Sequence, residues 1–317
     1  MRILWKRMLG ALLLPGLAQA APPQRIADAW YAHNATLILL GATDRIVATV
    51  DDPKRVPWMF HIKPQLARAS FVPTEAMNAE ELLRLRADLV FVTRSGHSAP
   101  ALRAAGLNVV EEGFSTFDGL LDCVTSTAAL LEDPKAMARA RDYRQAFEAE
   151  LRDSAAVAHE PPRVLHVQSL RPLKVDGDGT IIDAWIRHAG GMNAAMGVHG
   201  NMQTVTIEQV LAWNPSIVII GARAGDPGQL SHDPLWQRVA AVRDGHVYRN
   251  PEGVFPWDRY SPEMLLQLQW ARDIVQKGGV DRPAMIERIR SFYRRFYDSA
   301  LDASDAGRIL DGLPPVP

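Results

Sequence analysis

At 317 residues and 35.0 kDa the chain is longer than one hydrophobic core usually serves, so two domains are expected. Its 47% hydrophobic and 22% charged residues suit a globular protein and exclude a disordered chain or a fibre. Thirty-five Lys and Arg against 36 Asp and Glu leave no basic surplus for nucleic acid, and the single Cys123 excludes an internal disulfide and a cysteine-built metal site.

The first segment reads as an address. Arg2, Lys6 and Arg7 precede a short apolar stretch, Met8 to Ala18, and Ala18-Gln19-Ala20 is a small-x-small cleavage signal. Residues 1–20 are therefore expected to be a signal peptide cut after Ala20. No cysteine lies near the cut to carry a lipid, and no apolar run reaches the roughly 18 residues of a membrane span. An exported protein works without an ATP or NAD pool, which favours binding proteins and hydrolases over nucleotide-dependent enzymes.

Residues 21–132 form the first expected lobe. Strands are expected at Ile46–Val50, Leu89–Val92 and Val109-Val110, the last after a helix ending at Gly106. The unbroken apolar run Leu89–Val92 suits a parallel strand buried on both faces. Ahead of it, Asn78 and Glu81 form a capping-box pattern that starts a helix of two to three turns. Residues 133–160 form the connector. Asp133 is a cap, Pro134 takes the first helical position, and Ala136, Ala140, Tyr143, Phe147 and Leu151 share one face. With no further Gly or Pro until Pro161-Pro162, one helix of roughly 24 residues and about 36 Å is expected.

The remainder, residues 161–317, repeats the first lobe's scheme. Thr206 and Gln209 open a capped helix that leads into Ile217–Ile220, aligning without a gap on 78–92 at a constant offset of 128. Further strands are expected at Val164–Val167 and His246–Tyr248. Strands alternating with helices imply an α/β fold of two Rossmann-like lobes bridged by a single long helix, with a ligand cleft between them at the strands' carboxyl ends. A stiff strut predicts modest rocking rather than wide closure.

Loops after the strands supply the cleft candidates: Trp58, Arg94 and His97 from the first lobe, and Arg171, Asn201, Met202, Trp257 and Arg259 from the second. Aromatic faces with a few arginines suit a partly apolar, anionic guest such as a metal chelate. Trp58 and Trp257 fit core packing equally well, and Arg259 can pair with Asp258 or Glu263. No H-x-x-x-H spacing occurs, so a direct metal site would need His61, His97 and His199 to meet in space. A guest that brings its own metal is the simpler expectation, and no resident cofactor is expected.

Several segments in this order carry a resemblance: Leu39-Leu40-Gly41-Ala42, Asn78-x-Glu80 through Asp88-Leu89-Val90, Val205-Thr206-x-Glu208-Gln209 through Trp213-Asn214-Pro215, Ala241-Val242-Arg243-Asp244-Gly245-His246-Val247-Tyr248, and Trp257-Asp258-Arg259-x-Ser261-Pro262-Glu263. From residue 25 to about 300 the chain resembles the periplasmic substrate-binding proteins of the iron-chelate, siderophore and cobalamin class of ABC importers. The resemblance implies a periplasmic monomer that hands its ligand to an inner-membrane permease with its cytoplasmic ATPase. It assigns Glu80 and Glu208, one per lobe, to docking on that permease, although a glutamate in a first turn also simply complements the helix dipole.

The C-terminal Phe292-Tyr293-x-x-Phe296-Tyr297 resembles the branch that includes molybdate and tungstate binders, while its helical spacing points to packing. An iron–siderophore-like chelate is the expected ligand, with cobalamin, haem and an oxyanion as alternatives. The competing class, an exported hydrolase, lacks a G-x-S-x-G elbow, and neither Ser95 nor Ser169 has an identifiable base. No enzyme activity is expected.

Overall fold

The computed structural model describes residues 21–73, 77–153 and 160–316, so the expected signal peptide lies outside the described residues. The first lobe is built on β1 (Ile26–Asp28), β2 (Ile46–Thr49), β3 (Ser70–Phe71), β4 (Leu89–Thr93) and β5 (Val109–Glu112), in the order β3-β2-β1-β4-β5 and parallel throughout. The expected strands fall where the apolar runs lie. The central strand, β1, was not anticipated, because its three residues set no pattern; β2 and β4 pair with its two edges, and its faces are buried by separate apolar clusters, one holding Ile26 and the other Ala27.

The second lobe carries β6 (Arg163–Leu170), β7 (Leu173–Val175), β8 (Met192–Asn193), β9 (Gln203–Thr204), β10 (Ile217–Ile220) and β11 (Val247–Arg249). Their order is β11-β10-β6-β7-β9, with β8 also paired to β6. β7 runs antiparallel to both β6 and β9, so this sheet is mixed. The expected loop after Val167 is instead the continuation of β6 into a tight hairpin, with Leu170 opposite Leu173.

The repeat is structural as well as sequential. Asn78 accepts a hydrogen bond from the Glu81 N–H at 3.1 Å and opens Ala79–Arg84, ahead of β4. Thr206 accepts from the Gln209 N–H at 3.4 Å and opens Ile207–Trp213, ahead of β10. Only the second cap is reciprocal: the Gln209 side chain accepts from the Thr206 N–H at 2.9 Å, while the Glu81 carboxylate turns to Arg84. Both helices are shorter than expected, at six and seven residues.

The connector helix spans Pro134–Arg152, 19 residues or about 28 Å, shorter than expected; residues 154–159 lie outside the described residues. Ala136, Ala140, Tyr143 and Phe147 are buried along one face, as the spacing requires. They pack toward Met264–Lys277 and Arg282–Phe296, and the Tyr143 hydroxyl donates to the Pro262 carbonyl at 2.8 Å. Arg139 donates to the Phe296 carbonyl at 2.8 Å, and Arg295 pairs with Asp142. The largest apolar cluster runs from Ile26 and Leu89 of the first lobe, through this helix, to Val164, Trp185 and Ile309. The lobes therefore share a core at the back. Phe292, Tyr293, Phe296 and Tyr297 are buried in that core, with Phe292 and Phe296 rings 5.1 Å apart.

Candidate ligand cleft

The carboxyl ends of β1, β4 and β5 open on a chamber of about 500 Å3. Trp30, Thr93, Arg94, Ser95, Gly113 and Phe114 form the first lobe's wall, and Asn201 and Tyr260 close it from the second. Three rings meet across the gap: Trp30 lies 5.6 Å from Phe114 and 6.1 Å from Tyr260, and Phe114 lies 5.6 Å from Tyr260. Polar groups interrupt this apolar lining. The Thr93 and Ser95 hydroxyls are 2.9 Å apart, and the Asn201 amide donates to the Tyr260 hydroxyl at 2.8 Å. Arg94 is exposed at the rim, and its backbone N–H donates to the Glu112 carbonyl.

A second cavity of about 290 Å3 lies between Lys54, Arg55 and Trp58 of the first lobe and Arg223, Glu252 and Leu313 of the second. The Arg55 guanidinium sits 4.6 Å over the Tyr31 ring. Arg223 pairs with Glu252 at 2.9 Å; burial raises the Glu252 carboxyl above its ordinary range, and Arg223 works against that rise. Across these cavities cations outnumber carboxylates.

Each wall rests on buried polar side chains. In the first lobe Asp28, at the end of β1, accepts from the Trp30 N–H at 3.1 Å and pairs with His33 at 3.0 Å. His33 in turn stacks on Trp30, with centroids 5.9 Å apart, and meets the Thr127 hydroxyl at 3.0 Å. Asp51, after β2, accepts from the Asn34 amide at 2.6 Å. Burial pushes its carboxyl up to about 8, against the pull of Asn34 and with help from the nearby Asp28 charge. Asp51 is thus a neutral acid at pH 7.

In the second lobe His166, inside β6, is sealed between two carboxylates: Asp176 Oδ2 lies 2.9 Å from Nδ1 and Asp258 Oδ2 lies 2.9 Å from Nε2. Arg259 completes the group, 3.0 Å from Asp176 and 3.3 Å from Asp258, and also donates to Gln168. Burial disfavours the imidazolium, yet the two carboxylates outweigh it and raise the His166 pKa above that of an ordinary histidine. Burial opposes ionisation of Asp176 and Asp258 too, and the cations still hold both below the usual carboxylate range. Two cations and two anions balance, which is what allows four charges in one dry site.

The sequence candidates divide. Arg94 and Asn201 line the chamber, and Trp58 borders the smaller cavity, buried, with its indole N–H donating to the Leu313 carbonyl at 2.8 Å. Trp257 is 0% exposed and belongs to the core, so the expected wall is not there; its indole N–H donates to Glu263 at 3.2 Å. Glu263 also accepts from the Phe255 N–H at 2.8 Å and from Tyr293, and burial pushes its carboxyl up to about 7 against these donors. Arg259 pairs with Asp258 rather than Glu263 and is 8% exposed, behind the wall rather than in it.

Arg171 is carried away by the β6–β7 hairpin to a separate cavity with Asp226, Leu230 and Trp236, all in the second lobe. Met202 is exposed and contributes its backbone N–H, donated to Asp176 Oδ1 at 2.8 Å. His61 stands on helix Pro57–Ile62 near Asp305, whereas His97 and His199 are exposed on loops of different lobes. Among the described residues no three His, Cys, Asp or Glu side chains are grouped to hold a metal ion, which removes the direct site. Neither Ser95 nor Ser169 meets a histidine base among the described residues. Glu80 and Glu208 are both exposed at the second position of their capped helices. Backbone and Thr206 hydrogen bonds hold the Glu208 carboxyl below its ordinary range.

Sequence reasoning missed Trp30, Phe114, Asp51 and the His166 group. Trp30 follows the unrecognised β1. His166 did carry a signal: a histidine within the apolar run Val164–Val167 needs a buried partner.

Two α/β lobes joined by one long helix around a chamber at the strands' carboxyl ends define a bilobal ligand-binding protein. The chain belongs to the periplasmic binding protein family, whose model matches residues 29–253. It is 23% identical to the molybdate-binding protein MolA of Haemophilus influenzae over 90% of each chain, and 27% identical to the vitamin B12-binding protein of Salmonella typhi over 69% of this chain and 80% of that one. Among solved structures, a periplasmic solute-binding protein from Veillonella parvula superposes with a TM-score of 0.77 at 24% identity, covering 92% of each chain. The molybdate-bound structure of MolA gives a TM-score of 0.75 at 21% identity, over 89% of this chain and 95% of that one. At that identity the superpositions establish the fold. In this family the protein works as the binding component of an ABC importer, which was expected.

Proposed function

We propose that this chain captures a small oxyanion of the molybdate and tungstate kind between its lobes and delivers it, in the periplasm, to an inner-membrane ABC permease and its ATPase. The observation that carries this reading is the contact of Trp30, Phe114 and Tyr260 across the gap at 5.6–6.1 Å. A flat macrocycle held between two aromatic faces needs about 7 Å, twice a van der Waals contact. On this reading a corrinoid or haem comes second, as does an iron–siderophore chelate, which is bulkier still. Arg94, the Thr93 and Ser95 hydroxyls, the Asn201 amide and the Tyr260 hydroxyl are the donors an oxyanion requires. The relative matched over 90% of both chains is the one named for molybdate.

Native mass spectrometry with elemental analysis of protein purified from its own periplasm tests the reading. Molybdenum or tungsten at one atom per chain is expected. Iron, cobalt or haem absorbance in its place contradicts it.

A further inference from the structure

Asn201 and Tyr260 form the second lobe's whole contribution to the chamber, and both hang on the same buried group. Asp176 accepts the Met202 N–H, which holds the turn that carries Asn201; Met202 takes a left-handed φ of +57° there. Asp258 and Arg259 immediately precede Tyr260, which has a φ of +56°. From the sheet side His166 sits between the two carboxylates, its Nδ1 hydrogen-bonded to Asp176 and its Nε2 2.9 Å from Asp258. Among the described residues, the charged side chains against it are Asp176 from beyond β7, and Asp258 and Arg259 from the loop before Met264. Helix Ile181–His188 offers only the Trp185 ring, 5.9 Å away, and β10 offers backbone at Gly221.

We infer that His166, as an imidazolium, is a positioning residue that keeps the second lobe's wall in its ligand-ready form, so that oxyanion capture weakens when His166 loses its proton. The inference rests on the oxyanion reading above. With the proton gone, two carboxylates face one guanidinium. The group then carries one net negative charge directly behind the wall, where a low dielectric makes it count against an anionic guest. One carboxylate also loses its ring partner, which releases either the Met202 turn or the Asp258–Tyr260 segment. The two carboxylates that flank the ring fix the sign: they hold the His166 pKa above the ordinary histidine value, so the imidazolium is lost, and the effect sets in, as pH rises.

The test measures calorimetric affinity for sodium molybdate from pH 6.5 to 9.5, with Trp30 emission of the ligand-free protein, taken as the difference from a Trp30→Phe variant so that Trp185 beside His166 cancels, recorded over the same range. Wild type is expected to lose affinity with rising pH, by at most about tenfold per unit, the limit for one coupled proton. Trp30 emission is expected to step at the same midpoint as Tyr260 moves. His166→Gln removes both steps and binds weakly throughout. Asp258→Asn takes away one carboxylate and is expected to move both midpoints to lower pH, a readout that survives if His166→Gln fails to fold. A step that persists in His166→Gln, a midpoint unmoved in Asp258→Asn, or flat wild-type profiles would overturn the inference; Asp51, which titrates at about 8, would own a persisting step. If molybdate does not bind at any pH, the oxyanion reading fails, while the emission step of the ligand-free protein still decides the role of His166.

Discussion

Trp30 is the side chain on which the chamber's optical and binding behaviour converges. It is half-buried, touches Phe114 and Tyr260, and is fixed from behind by Asp28 and His33. Ligand entry should therefore change its emission, and Trp30→Phe should remove most of the ligand-induced signal. Trp58→Phe and Trp257→Phe should keep it, because Trp257 is sealed in the core and Trp58 faces the smaller cavity. Asp51 makes a second residue-level prediction. Its folded pKa of about 8 is above the ordinary 3.8, so its contribution to stability is complete below about 3.8 and has been lost once pH passes about 8. Asp51→Asn keeps an acceptor for Asn34 and cannot ionise. Thermal melts of that variant between pH 5 and 8 should decline less steeply than wild type; equal slopes would show that Asp51 does not titrate in this window.

Among the elements, the segment 251–257 shows how tightly the back of the cleft is built. A Cβ placed at Gly253 would lie 1.8 Å from the Tyr293 hydroxyl, inside the pocket where Glu263 gathers its donors. Gly253→Ala should cost about 3 kcal/mol, the upper end for an overpacked core, since a Cβ there meets both the Tyr293 hydroxyl and the Glu263 carboxylate; urea unfolding showing less than about 1 kcal/mol would mean that the loop is free to shift. Strands β2, β4, β5, β6 and β10 were legible because each contains an apolar run, and the three-residue β11 because Gly245 and Asn250-Pro251 bracket it. β1 was not, since three residues hold no period, and with it Trp30 went unseen. The β6–β7 hairpin was also missed, and that single error sent Arg171 to the wrong cavity. Arg94 and Asn201 were found because loops after parallel strands meet at the sheet's carboxyl edge, whatever their sequence. Distinguishing Trp30 from Trp257 needed the packing itself: both are tryptophans in such loops, and only the Glu263 pocket makes one of them core.

The whole molecule is two lobes that share a core at the back and touch through aromatic rings at the front. With Pro134–Arg152 cross-bonded to the C-terminal helices, closure should be a rocking of small amplitude. Glu80 and Glu208, matched by the repeat and exposed on their capped helices, are proposed as the two-point handle for the permease. Changing both to alanine should abolish uptake in cells and leave ligand affinity unaltered, since neither lines a chamber wall. The account stands most directly on isothermal titration of the purified protein with molybdate, cyanocobalamin and a ferric hydroxamate in parallel. It predicts one molybdate bound per chain and no heat from the two larger ligands. Binding of either large ligand with molybdate inert would contradict it.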